Sequence, residues 1–394
     1  MATDFTVDRN TVKYVLNSSG DIASVAIDTP AIEYNTDGTY KGLLVEPAST
    51  NLCKQSEDIN TTWNTLDNGA VATDATETPD GDTSSKYIKL VDDGSTGTGI
   101  VRIFQSITVV ANTKYTASVF LKKSGLNWAR LQAASTGGSP DSNPNQYFDL
   151  DNGVLGTGSA GIQDATIEAY PNDWYRCSMT WTQGVGDTAF NFLIYVAEAD
   201  NDAIVDLDGT SSIFVWGAQV EGGPIATSYI PTTTASVTRN KDDISLTGAS
   251  DLIGQSEGTL YVEVDWREAT GTSQMLLNTN NQTPFNRALI YVASGNVILY
   301  VVVDGSVVSN VGASTSGFSG IQKIALAYAD GDQELYRNGS SIATATGSLA
   351  GWATRTDIDL GQNRTASAQA NMWIRAVALY KTRLTNDQLA DLTS

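Results

Sequence analysis

The stretch Gly258-Thr-Leu-Tyr-Val-Glu-Val-Asp-Trp-Arg-Glu268 (GTLYVEVDWRE) alternates apolar and polar side chains with a period of two. Successive side chains of an extended strand point to opposite faces. Leu260, Val262, Val264 and Trp266 therefore share one face, and Tyr261, Glu263, Asp265 and Arg267 share the other. A helix would scatter the same apolar residues around its circumference. The segment reads as a strand with one side in a core.

The pattern recurs outward in both directions. Downstream, RALIYVA (287–293), NVILYVVV (296–303), IQKIALAYA (321–329) and MWIRAVALY (372–380) have strand length and strand composition. Asp304-Gly305, Asp330-Gly331 and Asn338-Gly339 supply hairpin turns between such runs. Upstream, RIFQSITV (102–109), KYTASVFLKK (114–123), WARLQAA (128–134), WYRCSMTWT (174–182) and SSIFVWGAQVE (211–221) do the same. Many short strands punctuated by Gly, Asn, Asp and Pro predict an all-β chain of β-sandwiches or jelly rolls. One helix is expected at the end, where Thr385 and Gln388 form a capping box ahead of Leu389 and Leu392.

The Pro- and Thr-rich run GGPIATSYIPTTTASVTRNKDD (222–243) breaks the pattern and marks a boundary. The chain divides into an N-terminal segment (1–45), a jelly roll (46–223), a linker (224–243) and a second sandwich (244–394). The 394 residues suit two domains of ordinary size.

Composition excludes several kinds of function. A net charge of -21, from 44 acidic and 23 basic residues, repels nucleic acid and anionic membrane, so neither is an expected partner. No apolar run approaches the roughly 20 residues of a membrane span. The start lacks the basic and apolar regions of a signal peptide, so a soluble product made in a cytoplasm is expected. The absence of histidine removes Ser-His-Asp and Cys-His chemistry and the commonest zinc sites. Cys53 and Cys177 have no metal-ligand spacing, and Cys177 shares a strand face with Tyr175, Met179 and Trp181, which reads as a buried thiol.

Three sets of residues carry possible chemistry. The first is the acid triplet Glu263, Asp265 and Glu268, whose spacing resembles the catalytic strand of family-16 glycoside hydrolases, which use paired carboxylates to cleave sugars. Against catalysis stand its place on the first strand after the linker and Arg267 beside the acids, which reads as an ion-paired outer face. No catalytic residue is assigned, and the chain is expected not to be an enzyme. The second set is Asp200, Asp202, Asp206 and Asp208, in a run with Glu198. It concentrates oxygen ligands in a loop without EF-hand spacing, which reads first as a solvated acidic loop and second as a calcium site; calcium is the one structural ion offered, and no cofactor is required. The third set is Trp63, Trp128, Tyr147 and Trp352, rings near turns that could stack on sugar faces. Trp128 leads it, because LNWARLQ places Leu126, Trp128 and Arg130 together. Trp174, Trp181, Trp216 and Trp373 sit in apolar strand patterns and are assigned to cores.

Longer pieces carry a resemblance over nearly the whole chain. YKGLLVEPASTNLCKQSEDINTTWNT (40–65), WYRCSMTW (174–181), EGTLYVEVDWRE (257–268) and, most specifically, WGAQVEGGPIATSYIPTTTASVTR (216–239) resemble virion proteins of tailed bacteriophages, of the head-spike, head-fibre and tail-fibre kind. The central region resembles carbohydrate-binding jelly rolls. The C-terminal region, ending IRAVALYKTRLTNDQLADL (374–392), resembles concanavalin A-like or laminin-G-like sandwiches. The resemblance implies a structural or adhesive subunit on a virion surface, with residues 1–45 as its attachment segment. It would bind capsid or tail proteins, form a dimer or trimer and meet cell-surface glycans. The other readings are a polysaccharide depolymerase using the acid triplet and a bacterial lectin with no virion role.

Overall fold

The computed structural model describes residues 5–136, 143–267, 273–316, 320–363 and 369–394. The described residues are almost entirely antiparallel β-structure with one helix, Asn386–Thr393. Four large sheets form two sandwiches.

In the first sandwich, one sheet runs Val154–Gly158, Asn145–Asp149, Trp128–Ser135, Ala189–Ala197, Thr98–Thr108 and Ile204–Asp206, with Asn64–Asp67 also on Thr98–Thr108. It is called the Trp128 sheet below. Facing it, the Arg176 sheet runs Asp164–Tyr170, Trp174–Thr182, Lys114–Lys123, Ser212–Gly222, Lys86–Asp92 and Gly69–Asp74. Alternation sends Ile103, Leu131, Phe148 and Ile194 of one sheet against Val119, Met179, Trp181 and Val215 of the other. Cys177 is fully buried among them, as is Cys53, and burial pushes both thiols up in pKa.

In the second sandwich, the Glu263 sheet centres on Gly258–Trp266, flanked by Gly320–Ala329 and Met372–Tyr380. Leu260, Val262, Val264 and Trp266 enter the core, as their alternation predicts, and meet Leu277, Ile290, Leu299 and Ile358 of the facing sheet. The hairpin turns fall at Asp304-Gly305, Asp330-Gly331 and Asn338-Gly339. Asp304 and Asn338 adopt the positive φ that such turns demand. The helix begins at Thr385 with the reciprocal capping box and lays Leu389 against Tyr261, Ala325 and Tyr336. No described helix is long and apolar enough to cross a membrane.

The N-terminal 45 residues correct the sequence reading, because they are not a segment apart. Thr6–Asp8 pairs with Asp243–Leu246, while Ile32–Tyr34 and Tyr40–Val45 continue the Glu263 sheet beyond Met372–Tyr380. The hairpin Lys13–Leu16/Ile22–Val25 is a wedge between the sandwiches. Leu16 and Ile22 pack with Phe120, Trp174, Trp216 and Tyr229 of the first sandwich and its linker, whereas Val15 packs with Leu44 and Trp373 of the second. Nor is the run 224–243 a free linker. Val237–Arg239 pairs with Ser49–Asn51, Tyr229 and Ile230 are buried, and the Asn51 amide donates to the carbonyls of Ala218 and Ile230. Strand pairing over such separations is set by tertiary packing, which local composition does not encode.

Candidate functional site

On the acid strand, the Glu263 carboxylate is held by two neighbours. Glu263 Oε1 accepts from Arg375 Nε at 3.0 Å, and Tyr261 Oη donates to Glu263 Oε2 at 3.3 Å. Arg267, expected beside these acids, turns away to the junction. Its guanidinium lies 4.2 Å from the Trp373 ring centre and 3.8 Å from Glu46 Oε1. Tyr261, placed on the outer face by alternation, is buried because the C-terminal helix covers it. Glu268 lies outside the described residues.

The four loop aspartates do not converge. Among the described residues, no three acidic or thiol side chains are grouped so as to hold a metal. Asp200 instead holds the edge strand Val154–Gly158, accepting from Thr157 N at 2.6 Å and Thr157 Oγ1 at 2.8 Å. Asp202 accepts from Ile204 N. Asp208 accepts from Thr210 N and Oγ1, which lowers its pKa. The backbone carbonyl of Asp206 takes the Ser211 hydroxyl. Asp202 and Asp208 therefore satisfy donors of their own turns, a local role that Asp side chains commonly fill, while Asp200 ties down a neighbouring strand.

The four proposed rings separate by burial. Trp63 lies inside the first sandwich, edge-on to Phe192, with Nε1 donating to the Gln55 carbonyl. Trp352 packs on the second core with the Arg355 guanidinium 3.4 Å from its ring centre, so one face is occupied. Tyr147 is only 4% exposed. Burial takes Trp63 and Tyr147 out of the set of rings on which a sugar could stack. Trp128 remains, half-buried at the start of its strand. Trp174, Trp181, Trp216 and Trp373 are core residues, as their strand patterns predict.

Around Trp128 the outer face of its sheet brings together residues far apart in sequence. Arg102, Tyr195, Arg130 and Tyr147 lie side by side on four adjacent strands. Tyr195 is buried beneath two guanidinium groups, Arg130 at 4.4 Å and Arg102 at 5.3 Å from its ring centre. Its hydroxyl accepts from Arg102 Nη1 and donates to Gln132 Oε1, both at 2.7 Å. Asp67 holds Arg102 from the other side at 2.6 Å. Burial opposes the Arg102 charge, but Tyr195 and Asp67 outweigh it and raise the pKa. Arg130 is different. Its guanidinium has no carboxylate within ion-pair distance and no hydrogen-bond acceptor among the described residues, and its buried Nε is unsatisfied.

The close approach of the edge strand Val154–Gly158 to this face needs Gly156. A Cβ there would come within 2.6 Å of Trp128 Cζ3 and 2.5 Å of Asp200 Oδ1. Sequence alternation paired Trp128 with Arg130 correctly. Leu126 precedes the strand and packs on the interior core instead. Arg102, Gln132 and Tyr195 were not singled out, because only strand order places them beside Arg130. The period-two pattern in FNFLIYVA (190–197) shows that Tyr195 opposes the core, but not which strand lies next to it.

The face thus offers a half-exposed indole, a stacked guanidinium with free donors and an amide NH2 on Gln132 that has no partner among the described residues. These are the ring and hydrogen-bond elements used on polyhydroxylated ligands.

No protein-family model matches the chain, and no curated protein matches it. Among solved structures, it is similar to the CBM40 domain of the Ruminococcus gnavus IT-sialidase, at 19% identity and TM-score 0.32, covering 37% of this chain and 87% of that one. It is also similar to the receptor-binding domain of botulinum neurotoxin C/D mosaic serotype, at 11% identity and TM-score 0.33, covering 39% and 40%. A leech intramolecular trans-sialidase aligns at 17% identity and TM-score 0.30, over 36% of this chain and 23% of that one. Likenesses this distant assign no function to the chain.

Proposed function

We propose that the protein is a passive adhesive subunit of a bacteriophage surface, as head spike, head fibre or tail fibre, and that it grips glycans on the outer face of the Trp128 sheet. The virion part rests on the segment 216–239 and the longer series to which it belongs. The glycan part rests on one observation: the Trp128 indole beside an Arg130 guanidinium that stacks on Tyr195 and has no hydrogen-bond or ion-pair partner among the described residues. A cation without a carboxylate is notable in a chain carrying net charge -21. Its free N–H groups suit sugar hydroxyls or a sugar carboxylate. Many copies of a weak site give useful avidity, and virion subunits of this kind are symmetric oligomers.

The reading includes no bond-breaking step. Its support is the Glu263 carboxylate held by Arg375 and Tyr261, which is an ion-paired sheet surface. Glycan arrays and host-cell binding test the site. Trp128→Ala and Arg130→Gln each weaken binding by about tenfold or more, the size expected for one stacking or charge-assisted contact. Unchanged binding in both variants overturns the glycan reading. Mass spectrometry of purified particles tests the virion reading, which fails if the chain is absent from them. Glu263→Gln leaves reducing-sugar release from host polysaccharide as it is in the wild type. Abolition of a measurable release would establish a depolymerase.

A further inference from the structure

The seam between the sandwiches holds a second feature, independent of the Trp128 face. A cleft of about 180 Å³ opens between the outer face of the Arg176 sheet, the turn at Ile225 and Ala226, and Arg267 of the second sandwich. Thr166, Ser178 and Thr180 line one wall with hydroxyls, and the carboxylates of Asp164 and Glu168 stand at the exposed rim.

Arg176 is the unusual member. The residue is 95% buried, at 5% exposure, yet no carboxylate lies within ion-pair distance among the described residues. Its Nη2 donates to Ser118 Oγ at 3.1 Å and to the Thr227 carbonyl at 2.8 Å. Among the described residues its Nε has no acceptor, and no hydrogen bond is made by Nη1 either. Across the cleft, Arg267 Nη1 donates to the Ala226 carbonyl at 3.2 Å and lies 3.8 Å from Glu46, beyond hydrogen-bond distance. Burying a guanidinium without a counter-charge costs several kcal/mol. Acidic residues outnumber basic ones by nearly two to one in this chain, yet Glu168, the cross-strand partner of Arg176, stands at the exposed rim and makes no ion pair with it.

We propose that this cleft binds a monosaccharide-sized sugar acid. Its carboxylate sits between Arg176 and Arg267, whose planar forks match two oxygens. Its hydroxyls meet Thr166, Ser178 and the accepting carboxylates of Glu168 and Asp164. The mixed wall is what separates a sugar acid from a bare oxyanion. The rim carboxylates oppose either anion, but a sugar acid offsets this by donating its hydroxyls to them, which phosphate cannot match with as many donors, while a neutral sugar would leave Arg176 unpaired. The volume admits one ring and is too small for a longer oligosaccharide chain to be enclosed.

The test is calorimetric titration of the full-length protein with glucuronate, glucose and inorganic phosphate. Glucuronate binds, and both other probes bind at least about tenfold more weakly, the loss expected when one charge-assisted contact is missing. The titration is repeated on Trp128→Ala, so that a signal from the Trp128 face is removed and persistence assigns the binding to the cleft. Arg176→Met abolishes it. Where that variant fails to fold, Arg267→Gln and Thr166→Val carry the test, each weakening glucuronate while circular dichroism and melting report an intact fold. The proposal is overturned by no glucuronate binding at millimolar concentration, by phosphate binding as well as glucuronate, by loss of binding in Trp128→Ala, or by unchanged affinity in both fallback variants. Loss of binding in Trp128→Ala would move the sugar acid to the Trp128 face, while the other outcomes leave the reading of that face untouched, since its own variants are scored on glycan arrays.

Discussion

Glu46 and Asp242 sit with four cations at the junction of the sandwiches. Lys13 Nζ reaches Asp242 Oδ2 at 2.6 Å and Glu46 Oε2 at 3.0 Å, and Arg9 Nη1 reaches Asp242 Oδ1 at 2.8 Å. Arg239 approaches Glu46 at 3.5 Å, and Ser228 donates both its N–H and its hydroxyl to the same carboxylate. Burial alone would push the Glu46 carboxyl up in pKa. Lys13, Arg239, Arg267 and Ser228 outweigh it and hold the group well below the usual carboxylate range. A carboxyl with a depressed folded pKa adds stability that is present above its unfolded value near 4.3 and is lost as pH falls toward the folded value. Glu46→Gln strands buried cations and should cost about 3–5 kcal/mol at neutral pH. The gap between wild type and variant should then narrow as denaturant melts are taken from pH 7 to pH 3. A gap that stays constant with pH would show that the loss is one of shape and not of charge. Gly156 invites a second residue-scale prediction. Gly156→Ala forces its hairpin away from Trp128 and Asp200, costs about 1–3 kcal/mol by overpacking, and weakens glycan binding together with stability.

At the scale of elements, the N-terminal hairpin is the piece whose role departs most from its sequence. Its two faces serve two different cores, Leu16 and Ile22 one and Val15 the other. Removing residues 1–39 would expose Trp373, Leu44 and the Tyr229 cluster and would take away the Arg9 and Lys13 charges. The truncated chain should therefore aggregate or melt far below the full chain, whereas a dispensable attachment arm would leave the melting temperature unchanged. The helix at the other end makes a smaller contribution. Thr385→Ala removes its cap and should cost about 1 kcal/mol in chemical denaturation. Individual elements were legible because their signals are local: two-residue turns at Asp304-Gly305 and Asn338-Gly339, alternation through Leu260 to Trp266, and the capping box at Thr385. Pairing was not legible. Nothing in TVKYVL (11–16) or KGLLV (41–45) says that the first inserts between sandwiches and the second lies beside Met372–Tyr380. The candidate face was half legible for the same reason. Trp128 and Arg130 share a strand, while Tyr195 and Arg102 reach them only through strand order.

The whole molecule is two sandwiches closed over shared material, and this arrangement decides how it unfolds. Chains with sandwiches joined by a free linker melt domain by domain, because little energy crosses the boundary. Here the boundary contains an apolar wedge, a buried charge cluster and the 224–243 run, which pairs with Ser49–Asn51 and leads directly into the strand Asp243–Leu246. The first sandwich also cannot keep Tyr229 and Trp216 covered once the hairpin leaves. Heating at neutral pH should accordingly give one calorimetric transition whose van't Hoff and calorimetric enthalpies agree. Leu16→Asp places a charge in the Phe120, Trp174 and Trp216 cluster and should release the wedge without entering either sandwich interior. The single transition should then split in two, the lower belonging to the sandwich that loses Tyr40–Val45 as a supported edge. Two transitions already present in the wild type would mean that the seam is a contact surface and not a shared core. The sugar-acid cleft would then lie in a hinge, and its affinity would have to be measured below the first transition.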